Sequence, residues 1–362
     1  MRLMESSLRR LLLGVLLLTL VGCNRAEPKN YILGEQTLTL SEELQTAVVA
    51  ELDKHAGTYA APRLIGAAEV TTEHLLKGQA IYETQCAQCH GDSGDGNGPT
   101  ANSMYPRPRN YRKGVFKFTS TTFGSKPLKA DLERTLRRGI RGTSMPAFPL
   151  LQPEEIDAVV DYVLVLARRG EVEEQIFYLA DFDEEVDPEA VETDAVQLIV
   201  DQWSAARSDV IIPQTPEPEF TAEHARRGRE LFLAESTGCK KCHGEDGRGL
   251  TPENLRGDLK DTWGEVTRAA DLTSGMLHGG PEPIDIYRRI YGGINGTPMP
   301  GFANSFADNP DAIWDLVAYV KYISSRRRAS VKFGIGEIPA PGPVSPYKPA
   351  VAEGDAASDA AE

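Results

Sequence analysis

The chain of 362 residues carries a formal net charge of −14, with 39 Lys and Arg against 53 Asp and Glu. Such an acidic chain is a poor match for the polyanion of nucleic acid, and no nucleic-acid partner is expected. Five cysteines leave one over however the others pair, and the length fits two domains of about a hundred residues each once the ends and a connector are set aside.

Arg2, Arg9 and Arg10 precede an apolar run from Leu11 to Val21. The run is too short to span a bilayer, which takes about 20 residues, and it has the charged start and small-residue end of a secretory signal. Residues 1–22 are therefore read as a signal peptide. Leu20-Val21-Gly22-Cys23 resembles a bacterial lipobox, in which the cysteine thiol takes a diacylglyceryl group and becomes the mature N-terminus. Cys23 is thus the expected lipidation site. This accounts for the odd thiol and implies an exported lipoprotein on the periplasmic side of a bacterial membrane. A plain secretory signal cut elsewhere is the alternative.

Residues 23–71 read as a polar tether and then a helix from about Ser41 to His55, with Leu44, Val48 and Leu52 on one face and Ser41 as its cap. A first domain is expected over 72–170. Its leading helix, capped by Thr72, carries Leu75, Leu76, Gln79 and Tyr82 into Cys86-Ala87-Gln88-Cys89-His90. The stretch from Asp92 to Pro99 lacks the Lys-Ser/Thr ending of a phosphate loop and the terminal Glu of a calcium loop, so it reads as a Gly-rich turn. The closing helix is expected from Pro153 to about Arg168, with Ile156, Val159, Val160 and Val163 at helical spacing and Tyr162 toward the leading helix.

Residues 171–222 read as an acidic connector. Between 171 and 223 there are 16 acidic residues against Arg207 alone, a net of −15, whereas 72–170 comes to +4. A helix from about Pro188 to Ala206 with Val191, Ala195, Leu198 and Trp203 on one face makes the connector a packed one. Bracing of the basic first domain, steering of a basic partner and a merely solvated face all stay open. The second domain, 223–330, repeats the plan. Ala225, Gly228 and Phe232 lead into Cys239-Lys240-Lys241-Cys242-His243, and Ile313, Trp314, Leu316, Val317 and Val320 mark its closing helix. Residues 331–362 read as a disordered tail.

The two C-x-x-C-H runs, 153 positions apart, are what the chain is built around. One helical turn separates two thiols so that each can form a thioether with a haem vinyl group, and the next residue places an imidazole under the iron. A structural zinc site would hold its two knuckles about 15–20 residues apart. A thioredoxin-like pair would sit in a βαβ pattern, and disulfide cysteines would not need a histidine after each pair.

Each half resembles a class I (mitochondrial-type) cytochrome c domain, and the whole a tandem di-haem c-type cytochrome. The resemblance implies a mainly α fold, with two such domains joined by a partly helical acidic connector, and two covalently attached haem c groups. The family places a Met ligand in a loop before its last helix. Gly142-Thr143-Ser144-Met145-Pro146-Ala147-Phe148 and Gly296-Thr297-Pro298-Met299-Pro300-Gly301-Phe302 match that loop, with His-to-Met separations of 55 and 56 residues. The implied iron ligands are His90 with Met145 and His243 with Met299. Pro99 and Pro252, each nine residues after its histidine, are the implied carbonyl acceptors for the second ring nitrogen. Gly78 and Tyr82 are implied to let the first helix cross the last one closely. Among Arg107, Arg109, Arg112 and Lys113, Arg109 is the candidate partner of a haem propionate, with a solvated basic surface as the alternative. Met104 has no counterpart in the second half, Met276 and His278 yield to the matched Met299, His55 lacks haem-motif context, and His74 and His224 head the two leading helices in matched contexts as exposed caps, so none of the six is expected to bind iron.

With an imidazole and a thioether on each iron there is no open coordination position, so the implied activity is one-electron transfer and not catalysis. Redox proteins (an oxidase, a dehydrogenase or a small electron carrier) are the expected partners. A di-haem peroxidase, which needs one vacant iron site, and a cytochrome subunit of a larger oxidase or dehydrogenase complex are the alternatives.

Overall fold

The computed structural model describes residues 29–326, so the signal peptide, Cys23 and the 331–362 tail lie outside the described residues. The regular structure of the described residues is helical apart from one hairpin of two-residue strands, β1 (Gly57–Thr58) against β2 (Ala61–Pro62), and two isolated bridges, Thr121 with Val210 and Lys260 with Val266. In order the helices are α1 (Glu42–Ala56), α2 (Thr72–Gln85), α3 (Ala87–His90), α4 (Lys129–Arg138), α5 (Pro153–Asp183), α6 (Pro188–Ala190), α7 (Gln197–Ala205), α8 (Ala222–Leu233), α9 (Cys239–His243), α10 (Pro252–Arg256), α11 (Pro283–Gly292) and α12 (Asp311–Arg326). None of them is long and apolar enough to cross a membrane.

Each half is organised by the crossing of its first and last helices. A Cβ on Gly78 would stand 2.0 Å from the Ala158 carbonyl oxygen, and one on Gly228 would stand 1.9 Å from that of Asp315. Only a residue without a side chain lets α2 meet α5, and α8 meet α12, backbone against backbone. One turn on, Tyr82 packs on Tyr162 at 5.4 Å and Phe232 on Tyr319 at 5.2 Å. Tyr82 also donates its hydroxyl to the Gly91 carbonyl at 2.8 Å, tying the helix pair to the end of the first C-x-x-C-H turn.

The caps differ by one residue from the sequence reading at α2. Thr71, not Thr72, is extended and accepts the His74 N–H, whereas Ser41 caps α1 by accepting from Leu44 as expected. His74 therefore lies inside the helix, and its ring reaches the Asp161 carboxylate at 3.0 Å. Lys129 also sits 2.6 Å from Asp157 and 2.7 Å from Asp161, so this cluster is a mixed ion-pair network with its own resident cation.

The larger difference is α5. It does not stop near Arg168 but runs 31 residues to Asp183, so the first quarter of the supposed connector belongs to the first domain's last helix. Gly170 looks like a terminator, yet it is a crossing point. A Cβ there would stand 2.5 Å from the Arg112 Cα. Beyond it Val172, Ile176 and Ala180 continue the apolar stripe and are fully buried. They pack with α1 and the 31–40 segment, so from residue 29 onward the tether is docked on the domain. Gly34 N–H and the Thr37 hydroxyl both donate to Glu173, and Arg169 reaches the Gly57 carbonyl and Asp53 at 2.9 Å each.

The connector's acids divide into two groups. Glu171 pairs with Lys126 and accepts from the Trp203 indole at 2.8 Å, and Glu173 pairs with Arg112 at 2.5 Å, all within the first domain's basic surface. Asp181, Asp183, Glu184 and Glu185 are exposed. The brace is made by two buried carboxylates, not by the acidic run as a whole. In the helical part a π turn, Val191–Val196, shifts the phase, so Ile199 is buried while Leu198 is 39% exposed. The segment after α7 then threads between the halves, where Ile211 N–H donates to the Ser120 carbonyl at 2.8 Å and the Ile211 side chain joins the second domain's core.

Candidate haem centres

Both C-x-x-C-H runs are single helical turns, α3 and α9, entered from Cys86 and Gly238. All four cysteines are free thiols, with Cys86 buried and Cys242 exposed. No thiol within a run is consumed by a disulfide, and each pair is free for thioether formation. Burial pushes the Cys86 thiol up to about 12 and raises Cys239 as well, so neither has the depressed value of a thiol-exchange nucleophile.

The two histidines are held alike. His90 Nδ1 lies 3.0 Å from the Arg109 carbonyl, and His243 Nδ1 lies 3.1 Å from the Ala270 carbonyl. A carbonyl only accepts, so Nδ1 carries the proton and Nε2 keeps its lone pair for a metal. Desolvation by burial favours the neutral ring, pulling His90 down to about 4 and lowering His243. Tyr111 stacks on the His90 ring at 4.6 Å.

These acceptors correct the expectation for Pro99 and Pro252. After His90 the chain folds back on the end of α3, with Gly96 N–H donating to the His90 carbonyl at 2.9 Å and Gly98 N–H to that of Cys89 at 3.2 Å. With Thr100 N–H donating to the Gln88 carbonyl at 3.1 Å, Pro99 is held beside the start of α3, and the imidazole's bond goes to Arg109 instead. Pro252 is the first residue of α10, whose Thr251 cap accepts from Asn254, so its carbonyl belongs to a helical turn. The true acceptors come from a later strand-like pass, and a residue that positions one of them went unread. Asn254 is buried, donates to the Ala269 carbonyl at 3.1 Å and accepts the Ala269 N–H at 2.8 Å, clamping the segment that ends in the Ala270 carbonyl. Its signal in sequence was only a Thr-Pro-x-Asn helix start.

The methionine loops are built to one pattern. Ile140 N–H donates to the Met145 carbonyl at 3.0 Å and Ile294 N–H to that of Met299 at 3.1 Å. The Met145 N–H reaches the Thr143 hydroxyl at 3.1 Å, and the Met299 N–H that of Thr297 at 3.2 Å. Each loop starts at a glycine of positive φ, Gly139 at 63° and Gly293 at 71°, where a Cβ would lie 2.7 Å from the backbone beyond the methionine. These two glycines were also missed by the motif reading, which began at Gly142 and Gly296. Met276 and His278 stand beside the first methionine loop instead, with His278 Nε2 3.3 Å from a Cβ on Gly142.

Each half thus offers two free thiols one turn apart, a neutral imidazole with a bound Nδ1 and a thioether on a hydrogen-bonded loop. That donor set fits a covalently held haem taking one imidazole nitrogen and one soft sulfur, and it does not fit a hard cation.

The basic loop of the first domain meets the second domain. The Arg109 guanidinium lies 3.6 Å from the Trp263 ring centroid, Lys117 pairs with Asp261 at 3.3 Å and Arg107 with Glu265 at 3.6 Å. Desolvation pulls Arg109 down to about 10, against the raising effect of Asp261. Further along the interface Arg138 approaches the buried Asp285 at 3.3 Å, Arg289 donates to the Lys117 carbonyl at 2.9 Å and Gly124 N–H donates to Asn295 at 2.9 Å.

Comparison with known proteins agrees with this geometry. A family model described as cytochrome c oxidase, cbb3-type, subunit III matches residues 73–163, and one described as cytochrome c matches residues 225–324. The cbb3-type cytochrome c oxidase subunit FixP of Azorhizobium caulinodans is 34% identical over 104 residues, which cover 28% of this chain and 31% of that relative. The matched part thus spans about a third of the relative's length. Among solved structures, a chain of the Kuenenia stuttgartiensis reducing HAO-like protein complex superposes with a TM-score of 0.53 at 30% identity, over 68% of this chain and 95% of that one. Domains of this kind carry covalently bound haem c and transfer electrons. The chain belongs to the cytochrome c family, with two of its domains in tandem in the manner of a di-haem c-type cytochrome.

Proposed function

We propose that this protein is a membrane-anchored carrier that shuttles single electrons between respiratory redox partners through two haems, one ligated by His90 and Met145 and the other by His243 and Met299. The observation that carries the reading is the repeated construction: the same Nδ1-to-carbonyl bond and the same Thr-braced methionine loop occur in both halves. The haem supplies a reversible Fe(III)/Fe(II) couple when bound. The chain's residues do the rest. Cys86, Cys89, Cys239 and Cys242 would fix the macrocycles, and the carbonyls of Arg109 and Ala270 orient the imidazoles and raise their basicity. The thioethers of Met145 and Met299 would hold the iron's remaining position, where they would favour its reduced state and leave no place for oxygen or peroxide. Arg109, stacked on Trp263, is the candidate donor to a propionate.

Cys23 is proposed as the diacylglyceryl site that holds the mature protein on the periplasmic face of a membrane. Lipid labelling that disappears in Cys23→Ala tests it.

Spectroelectrochemical titration of the purified protein tests the carrier reading. Two low-spin, six-coordinate haems that titrate with one electron each support it. One high-spin iron or peroxide turnover would favour the peroxidase reading instead. A second reading, a cytochrome subunit of a respiratory complex, draws on the likeness over most of the chain to a component of a multi-protein assembly. Purification from native membranes with a stoichiometric partner would favour it.

A further inference from the structure

Two paths lead away from the two candidate ligand sets and meet at one ring. From His90, the Nδ1–H bond reaches the Arg109 carbonyl, and the guanidinium of the same residue lies 3.6 Å from the Trp263 centroid. From the other half, Thr262 N–H donates to the Gly296 carbonyl at 3.1 Å, and a Cβ on Gly296 would stand 2.7 Å from Trp263 Cζ3. Gly296 lies within the loop that the Ile294-to-Met299 bond closes. Trp263 therefore sits in contact with the residue that orients one proximal histidine and with the loop that carries the opposite methionine.

The seat is specific. Gly296 has a φ of 70°, and any side chain there would collide with the indole, so the loop is shaped to admit the ring. The indole N–H is buried without a hydrogen-bond partner, which ordinarily costs about 1–3 kcal/mol. The ring is thus not placed here by its polar atom. Packing and the cation–π contact with Arg109 hold it, with Lys117 at 5.9 Å on the same ring. The domains have other fastenings at Asp285 and Asn295, so the ring is not the interface's sole support.

The geometry points to Trp263 as the residue that couples the two haem sites, its ring closing the gap across which an electron passes from one half to the other. The inference rests on the two-haem carrier reading above. The exchange moves one electron, oxidising one haem iron as it reduces the other, with no bond made or broken and no proton moved. Trp263 supplies the intervening atoms and keeps its own electron count.

The test uses the full-length, haem-loaded protein and its Trp263→Leu, Trp263→Phe and Trp263→Met variants. A light-triggered reductant reduces a fraction of the haem, and transient absorption follows redistribution between the two sites. Haem content, ligation spectra and the radius of gyration are measured alongside. Trp263→Leu is expected to slow redistribution several-fold while Trp263→Phe keeps most of the rate, with spectra and radius unchanged. Redistribution at the parent rate in Trp263→Leu, with both haems intact, overturns the coupling role and leaves the carrier reading standing. If Trp263→Leu does not fold, Trp263→Met removes the ring with less change of shape, and an unslowed rate there overturns the role equally. A parent protein that holds one haem, or binds carbon monoxide readily, overturns the carrier reading itself.

Discussion

The α-carbon of Gly228 faces the carbonyl of Asp315 so closely that a methyl group there would lie 1.9 Å from its oxygen. The same relation joins Gly78 to Ala158 at 2.0 Å in the first half. Two effects compete in a Gly→Ala change. Helix propensity favours alanine by about 1 kcal/mol. Against it, the clash is with main chain, which yields only if two packed helices part, and overpacking of this sort costs about 1–3 kcal/mol or more. Gly228→Ala and Gly78→Ala should each lower the melting temperature of the haem-loaded protein, read by circular dichroism. A rise in either would mean that the crossing is looser than described.

The π turn at Val191–Val196 makes a sharp distinction between adjacent residues. Ile199→Ala should cost about 2–4 kcal/mol in denaturant unfolding, as a buried aliphatic truncation does, while Leu198→Ala should cost well under 1 kcal/mol. Equal effects at the two positions would restore the unbroken α-helical phase.

Glu171 is buried between Lys126 and the Trp203 indole. Removing the cation alone, in Lys126→Met, leaves a buried carboxylate without its counter-charge and should cost about 3–5 kcal/mol near neutral pH. Glu171→Gln keeps an acceptor for Trp203 and should cost far less. Desolvation raises Glu171 above the ordinary carboxylate value despite its partners. The folded state then binds the proton more tightly than the unfolded state, so this residue's contribution is greatest at low pH and falls as pH rises through its titration. The stability of the parent relative to Glu171→Gln should therefore decline from acid toward neutral pH in paired urea titrations. A relative stability that rises with pH over that range would contradict the desolvated assignment.

For the proposed iron ligands, Met145→Ala and Met299→Ala should each lower the reduction potential of one haem and leave the other near its parent value. Each altered iron should also take up carbon monoxide, visible as a shift of the reduced Soret band. A variant whose two potentials both stay put has not lost a ligand.

The parts of this molecule that were legible in sequence are those fixed by covalent chemistry or by short-range sterics. Two thiols and an imidazole must follow each other within a turn, so Cys86 to His90 and Cys239 to His243 are visible at once. Gly78 and Gly228, four residues before an aromatic, are visible for a similar reason. What escaped depends on where the chain returns after a loop. The carbonyls that hold His90 and His243 come from Arg109 and Ala270, 19 and 27 residues downstream, and any carbonyl can serve, so no residue type marks them. Gly170 before an acidic run has the look of a helix end, but its role is to admit Arg112, and the apolar positions at 172, 176 and 180 carried the better signal. The π turn leaves no mark in a pattern read at 3.6 residues per turn.

The length of α5 also decides how this chain can be taken apart. A fragment cut where the first family match ends, at residue 163, or at 170, would sever a continuous rod midway and strip the 31–40 strap of the surface it lies on. Genetic dissection of the two redox units should place its first cut beyond α7, in the exposed turn at Arg207 and Ser208, because Ile199 and Trp203 still belong to the first domain's core.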